Sequence, residues 1–450
     1  MCASIIRVEG DIIHQPAELK NLEKFLRQQS FPRILISSAL TGFYELTEKE
    51  LDKVREAGYS SAAYELQLNQ LFKNRPSSES HAGTKSLVTE MKNLLKGIHL
   101  TGDYSPALKD QLLSYGEKIT ALVLSEQLKE MGREAAVIQP EELGLKVTSD
   151  PGNATFLALS HPELIVSGNK NNWIIPGSFG INGKGKIART GAAAADYTAA
   201  FLTAELSADR LILWNLRDGF SIADPSVVPE AERLKRLTYA EASELAYFDH
   251  FSLHPRTVEP LSGKHIPIHI INSSQATHDP ETIINSEDYI SPGVVKSVAC
   301  TDDISILKLN GPGVGLKPGI LARLTGRLAD AAINIKSVIT SQVSINILLD
   351  RKSGPTAVKV AAETGFSGVS EIELLGEVSL IAIIGHGMQD HYGISATLFS
   401  AVAQNKINVI ISGSGASDLV SYLVVRTTDK EKGVRAIYDA FLKPSSPIFI

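Results

Sequence analysis

The sequence predicts an α/β chain in two parts: a layered α/β unit over residues 1–290, then two ferredoxin-like βαββαβ modules over residues 291–450. Three observations carry this. Short β-branched runs alternate with helical stretches to about residue 272. The rhythm then changes, and residues 303–350 read strand, glycine turn, helix, strand, strand. Finally, Gly311, Gly313, Gly319, Ala322, Ile333 and Asn334 recur as Gly385, Gly387, Gly393, Ala396, Ile407 and Asn408, every pair 74 residues apart. Six matches at one offset mark an internal duplication.

In order along the chain, residues 4–8 and 33–37 are β-branched runs expected as strands. Leu and Phe recur at helical spacing over 16–29 between them. Residues 59–100 are expected to be helical around an exposed loop, NRPSSESHAGTKS, at 74–86. Residues 105–131 read as a helix pair, with Ser105 as cap and Pro106 in the first turn. Further strands are expected at 135–138, 164–166, 173–175, 211–214 and 267–271, and a helix at 239–246.

Composition narrows the function. The chain has 450 residues, 43% apolar and 21% charged, so it buries a sizeable core. A net charge of −6 without a basic run argues against a nucleic-acid partner. Two cysteines, Cys2 and Cys300, exclude a disulfide framework and fit a reducing, cytoplasmic setting. No apolar run reaches the roughly 18 residues that a membrane span needs. The N-terminal stretch lacks the pattern of a signal peptide and reads as a strand of the fold.

The chemistry is expected around residues 176–200. A glycine-rich turn, PGSFGINGKGKIA, leads to RTGAAAADYTAA and an apolar helix. Strand, glycine loop and helix N-terminus suit an anion, because free N–H groups and the helix dipole converge there. Four consecutive alanines, Ala192–Ala195, offer no hydroxyl or charge to grip it.

These residues resemble the aspartokinase family: an amino-acid-kinase domain, built as a three-layer α/β sandwich, followed by two ACT modules. LLSYGEKITA (112–121), the run 176–180, DYTAAFL (196–202), ADP (223–225), ELAYF (244–248) with LHPRTVEP (253–260), and GPGVGLKPGILARL (311–324) carry the likeness. The resemblance implies phosphoryl transfer from ATP to the side-chain carboxylate of aspartate, with Mg-ATP required if the chain is active. It implies Arg7 as the phosphate-facing cation and Asp196 as its companion at the catalytic centre. On the substrate side it implies Glu117 toward the amine, Tyr44 in place of a threonine, and Gly191 in the loop. For the nucleotide it implies Gly10, Arg217, Asp218, Gly219 and Asp224, with Asp218 or Asp196 supporting magnesium. No protein-bound metal site is implied.

The chain also departs from that pattern. Arg7 stands for a lysine, and Glu9 and Asp11 bring acids that would repel phosphate. Ala192 stands for an arginine, Leu216 for an acid, Ser226 for an arginine and Phe251 for a lysine. Each lost contact costs about 3 kcal/mol of transition-state stabilisation. The expectation is therefore a degenerate site: a non-catalytic or altered amino-acid-sensing homologue, a pseudokinase, linked to the aspartate pathway. The alternatives are an active aspartate kinase, with Arg7, Lys184, Arg189 and Arg217 replacing lost charges, or a kinase for another carboxylate.

In the regulatory half, the resemblance implies an effector site at Gly313, Gly319, Ile320, Asn334 and Ser341. Lys336 stands where lysine-sensitive relatives carry an acid, and Gln342 replaces a glutamate. A small neutral or acidic carboxylate is thus expected as effector, and a homodimer through the ACT modules. An active enzyme of the aspartate pathway is a further expected partner. A half that only dimerises stays open as the alternative.

Overall fold

The computed structural model describes residues 3–73, 78–166, 172–192, 194–248, 253–275, 279–287, 289, 294–415 and 417–443. The chain forms two units. One holds Met1–Phe220 and Arg233–Tyr289, the other Ser221–Glu232 and Ile290–Ile450. This differs from a contiguous division at 290, because the short segment 221–232 belongs to the second unit.

The first unit is built on an eight-stranded sheet. Its order is Arg236–Thr238, Thr282–Asn285, Ile268–Asn272, Leu211–Asn215, Ser4–Val8, Arg33–Ser37, Asn172–Pro176 and Ala135–Val137. All neighbours are parallel except Ile268–Asn272 against Thr282–Asn285. The central strands Arg33–Ser37 and Leu211–Asn215 are buried at every residue, which is why their sequences are almost continuously apolar. On one face Ile6, Val8, Leu35, Ile212 and Trp214 share a core with Leu22, Phe25, Leu112 and Ile119 of the helices above. Alternation sends Arg7 to the opposite face. There the helix Ala195–Glu205 packs on Ser4–Val8 and Arg33–Ser37.

Residues 105–131 form one helix, Pro106–Glu130, instead of two. Gly116 does not break it: a Cβ there would lie 2.5 Å from Phe43, so the glycine serves close packing. Residues 164–166 fall in a short helix, Glu163–Val166, instead of a strand. Pro162 opens the turn and its carbonyl accepts from the N–H groups of Ile165 and Val166. The expected loop at 74–86 is helical from Ser78 onward, within Ser78–Thr101; residues 74–77 lie outside the described ones.

A second, smaller sheet orders Phe156–Leu159, Leu145–Val147, Phe179–Ile181 and Ile187–Arg189. Its hairpin turns at Asn182, whose side chain accepts from the N–H groups of Lys184 and Lys186.

In the second unit each module is a four-stranded antiparallel sheet with two helices. The first runs Ser305–Asn310, Ile320–Asp330, Ser337–Thr340, Ser344–Leu349, Gly354–Thr364, Glu371–Leu375, a complete βαββαβ. The second contains Val378–Ile384, Ile394–Gln404, Ile411–Gly413, Val420–Arg426 and Lys430–Phe441. Its fourth strand is Ser297–Thr301, which precedes the first module and pairs with Val378–Ile384. The modules are therefore nested and not simply consecutive. The duplication is physical: Gly319 and Gly393 both start a helix at positive φ, +87° and +88°, where a side chain would be strained.

Candidate functional site

The carboxyl-terminal edge of the large sheet gathers the expected catalytic residues, as open α/β sheets do. Arg7, near the end of Ser4–Val8, is 5% exposed, and its Nε forms an ion pair with Asp196 in the first turn of Ala195–Glu205. The other oxygen of Asp196 accepts from the His254 N–H at 2.9 Å. Asp196 thus ties the central strand to the LHPR turn. The helix begins at Ala194 without a side-chain cap, so its first N–H groups face the loop without side-chain partners. Gly191 holds φ +136°, and a Cβ there would lie 3.4 Å from His254 Nε2.

The two acids expected to repel phosphate are otherwise engaged. Glu9 accepts from the Leu216 N–H at 2.8 Å. Asp11 accepts from the Thr41 N–H at 3.1 Å and from its hydroxyl at 2.5 Å. Gly10 lies between them, its N–H bonded to Ser38 Oγ at 2.9 Å.

On the acceptor side Glu117, in the middle of the long helix, is fully buried. The Tyr44 hydroxyl donates to its Oε1. Arg189, 4% exposed at the end of Ile187–Arg189, reaches the same oxygen at 3.7 Å and lays its guanidinium over the Tyr44 ring at 4.2 Å. Burial is the largest influence on Glu117 and pushes its carboxyl up; Arg189 and Tyr44 pull it down without cancelling that. Burial also drives the Tyr44 phenol well above its ordinary range, so it stays a donor. For Arg189 burial opposes the charge, but Tyr44, Glu117 and Asp110 outweigh it and hold the guanidinium protonated. Asp110 anchors the strand: its Oδ2 accepts from the N–H groups of Arg189 at 2.9 Å and Gly152 at 2.8 Å.

The sequence reading did not place Arg189 beside Glu117, and it missed Asp110 altogether. Only the position of Arg189 directly before the alanine loop hinted at it. Lys184, another expected substitute for charge, is exposed on the hairpin turn, as is Lys186.

On the nucleotide side Asp218 pairs with Arg233 and accepts from Asn272 Nδ2 at 2.6 Å. Neither partner was anticipated, since both come from distant segments. Arg217 is exposed and Gly219 buried, with Thr282 Oγ1 2.4 Å from where its Cβ would be. Asp224 lies in the second unit, where Ser226 donates to it and Ala223 and Val228 enter the second module's core. Phe251 lies outside the described residues.

In the second unit a cavity of about 470 Å³ is lined by Gly319, Ile320 and Ser341, together with Lys317 and Gln342. Gly313 packs against Gly368, and Asn334 is exposed; neither lines it. Lys336 points to Asp350 at 2.8 Å and Asp303 at 3.7 Å, so its charge is answered within the module instead of being aimed at an effector.

Residues 11–272, more than half of the chain, match the Amino acid kinase family, and residues 299–360 and 381–441 each match an ACT domain. Aspartokinase 2 of Arabidopsis thaliana, chloroplastic, is 29% identical over 368 residues, covering 78% of this chain and 67% of that protein. The bifunctional aspartokinase/homoserine dehydrogenase of Haemophilus influenzae is 28% identical over 372 residues, covering 80% of this chain but only 45% of its own length. The structure of E. coli aspartokinase III in complex with aspartate and ADP aligns with a TM-score of 0.83 at 23% identity, covering 98% of this chain and 99% of that one. The same enzyme with lysine and aspartate aligns at 0.72 and 21%.

Proposed function

The chain belongs to the amino acid kinase family, and on that premise we propose that its first unit transfers a phosphoryl group from ATP to the carboxylate of a small acid. Aspartate, named by its relatives, is the first acceptor to test. The observation that carries this reading is the buried Arg7–Asp196 pair beside the uncapped helix Ala195–Glu205. It puts a fixed cation and free N–H donors at one sheet edge, where a polyphosphate is held and its developing charge stabilised.

Mg-ATP is the cofactor this reading requires; when bound it supplies the phosphoryl group and the metal's charge. The helix donors, Arg7 and the exposed Arg217 fit the phosphates. Among the described residues no three His, Cys, Asp or Glu side chains gather as a metal site. On this reading a magnesium ion is carried mainly by nucleotide phosphates, with Asp218 or Asp196 in support. Glu117, Tyr44 and Arg189 form the acceptor wall and exclude water from it.

Sequence similarity along most of the chain to proteins named aspartokinases favours catalysis over the non-catalytic homologue. One observation favours that second reading: Oε1 of Glu117 is already engaged by Tyr44 and Arg189 while Ala192 offers no guanidinium. Calorimetric titration with Mg-ATP, followed by hydroxylamine trapping of an acyl phosphate with aspartate, separates the two. Binding and hydroxamate formation support transfer; neither supports the sensor.

For the second unit the supported reading is an amino-acid effector site in the ACT pair. The finer proposal is a neutral or acidic carboxylate, since the cavity carries Lys317 and Gln342 and no acid among its lining residues. A homodimer through the ACT modules, an aspartate-pathway partner and a cytoplasmic setting complete the proposal. No helix among the described residues is long and apolar enough to cross a membrane.

A further inference from the structure

Around Glu117 the first unit gathers more hydrogen-bonding capacity than its own groups consume. Glu117 Oε2, Ser178 Oγ, Thr190 Oγ1 and both Nε and Nη2 of Arg189 make no well-formed hydrogen bond. All four residues are buried, none more than 4% exposed. Polar atoms left unmet in a protein interior are costly, so a cluster of them marks a place for a small polar guest. Tyr44 is the partly exposed member of the wall.

The inventory of atoms says which guest. Two guanidinium N–H groups and two hydroxyls donate, whereas Glu117 Oε2 is the one carboxylate oxygen among them. The set is donor-rich and suits a carboxylate. The negative charge of Glu117 is already answered by Arg189 at 3.7 Å and by the Tyr44 hydroxyl. Arg189 is itself fixed through Asp110, which holds its backbone N–H. A guest ammonium would compete for Glu117 with a guanidinium anchored in place.

We propose that Arg189 is the specificity-determining residue of the acceptor subsite: it neutralises Glu117 from within and offers its own N–H groups, so the subsite binds a carboxylate and gains little from an α-ammonium. This rests on the carboxylate-acceptor reading above and deepens it.

The test is calorimetry of the full chain, without nucleotide, against L-aspartate and succinate, which differ by the amine. Wild type binds the two within about threefold. Arg189→Ala frees Glu117 for the ammonium and shifts the preference to aspartate by about tenfold or more. Glu117→Gln, close in shape, leaves the wild-type ratio unchanged and serves if Arg189→Ala does not fold. A tenfold wild-type preference for aspartate overturns the proposal. So does an unchanged ratio in folded Arg189→Ala, a relative loss of aspartate binding in Glu117→Gln, or binding of neither acid. Turnover with Mg-ATP is read separately. Carboxylate binding without turnover defeats the transferase reading alone, whereas turnover with strong discrimination for the amine defeats this proposal alone.

Discussion

Two buried arginine–carboxylate pairs stand in the first unit, and they are built differently. Arg7 and Asp196 join a central strand to a helix start, and the carboxylate also receives the His254 N–H. Arg189 and Glu117 meet at 3.7 Å, share one oxygen with Tyr44, and leave the other oxygen and two guanidinium nitrogens without hydrogen bonds. The first pair holds the fold at the edge where phosphate is expected. The second keeps unused capacity where an acceptor is expected. Arg7 Nε also lacks a well-aligned hydrogen bond, so the contrast rests on the His254 contact; on the proposed reading similar charges serve position in one place and recognition in the other.

Removing Arg7 is the severest way to break this contrast. Arg7→Ala leaves Asp196 buried without a countercharge and is expected to cost about 3–5 kcal/mol of stability in urea unfolding, with loss of phosphoryl transfer. Arg189→Ala is expected to cost less, about 2–3 kcal/mol, because Tyr44 still donates to Glu117. Equal losses in the two variants would erase the distinction. Tyr44→Phe keeps the ring beneath Arg189 and removes one donor, for a cost of about 1–2 kcal/mol by the same unfolding measurement.

The smallest expected effect is on pH dependence. The Glu117 carboxyl titrates above its ordinary 4.5 in the fold, chiefly through burial. Between the unfolded and folded values the native state binds more protons, so stability falls as pH rises through that window. Thermal unfolding of Glu117→Gln should show a flatter decline there than wild type; an equally steep decline would assign the titration elsewhere, Asp110 first, since burial raises it too.

Much of the fold was legible because local signals agreed with it. The β-branched runs at Ser4–Val8 and Arg33–Ser37 are strands, as their composition predicts. Thr238 and Glu241 make a capping box that starts Tyr239–Ala246 where the sequence places it. The glycine repeat exposed the duplication, but repeats carry no topology, so the loan of Ser297–Thr301 to the second module was invisible. The site was half legible. Arg7 and Asp196 follow from position relative to strand and helix ends. That Asp224 belongs to the second unit was not legible, because which unit a loop joins is decided by its core contacts. Nor did the spacing of 117 and 189 disclose that a long helix and a hairpin bring them together. The backbone partners of Glu9 and Asp11 were likewise not legible, since they come from other segments.

The most direct test of the central claim is hydroxylamine trapping during incubation of the full chain with Mg-ATP and a carboxylate acceptor, run with aspartate and with succinate. The account predicts hydroxamate dependent on ATP, from at least one acid, and abolished in Arg7→Ala. No hydroxamate from either acid, together with no calorimetric binding of Mg-ATP, would contradict it.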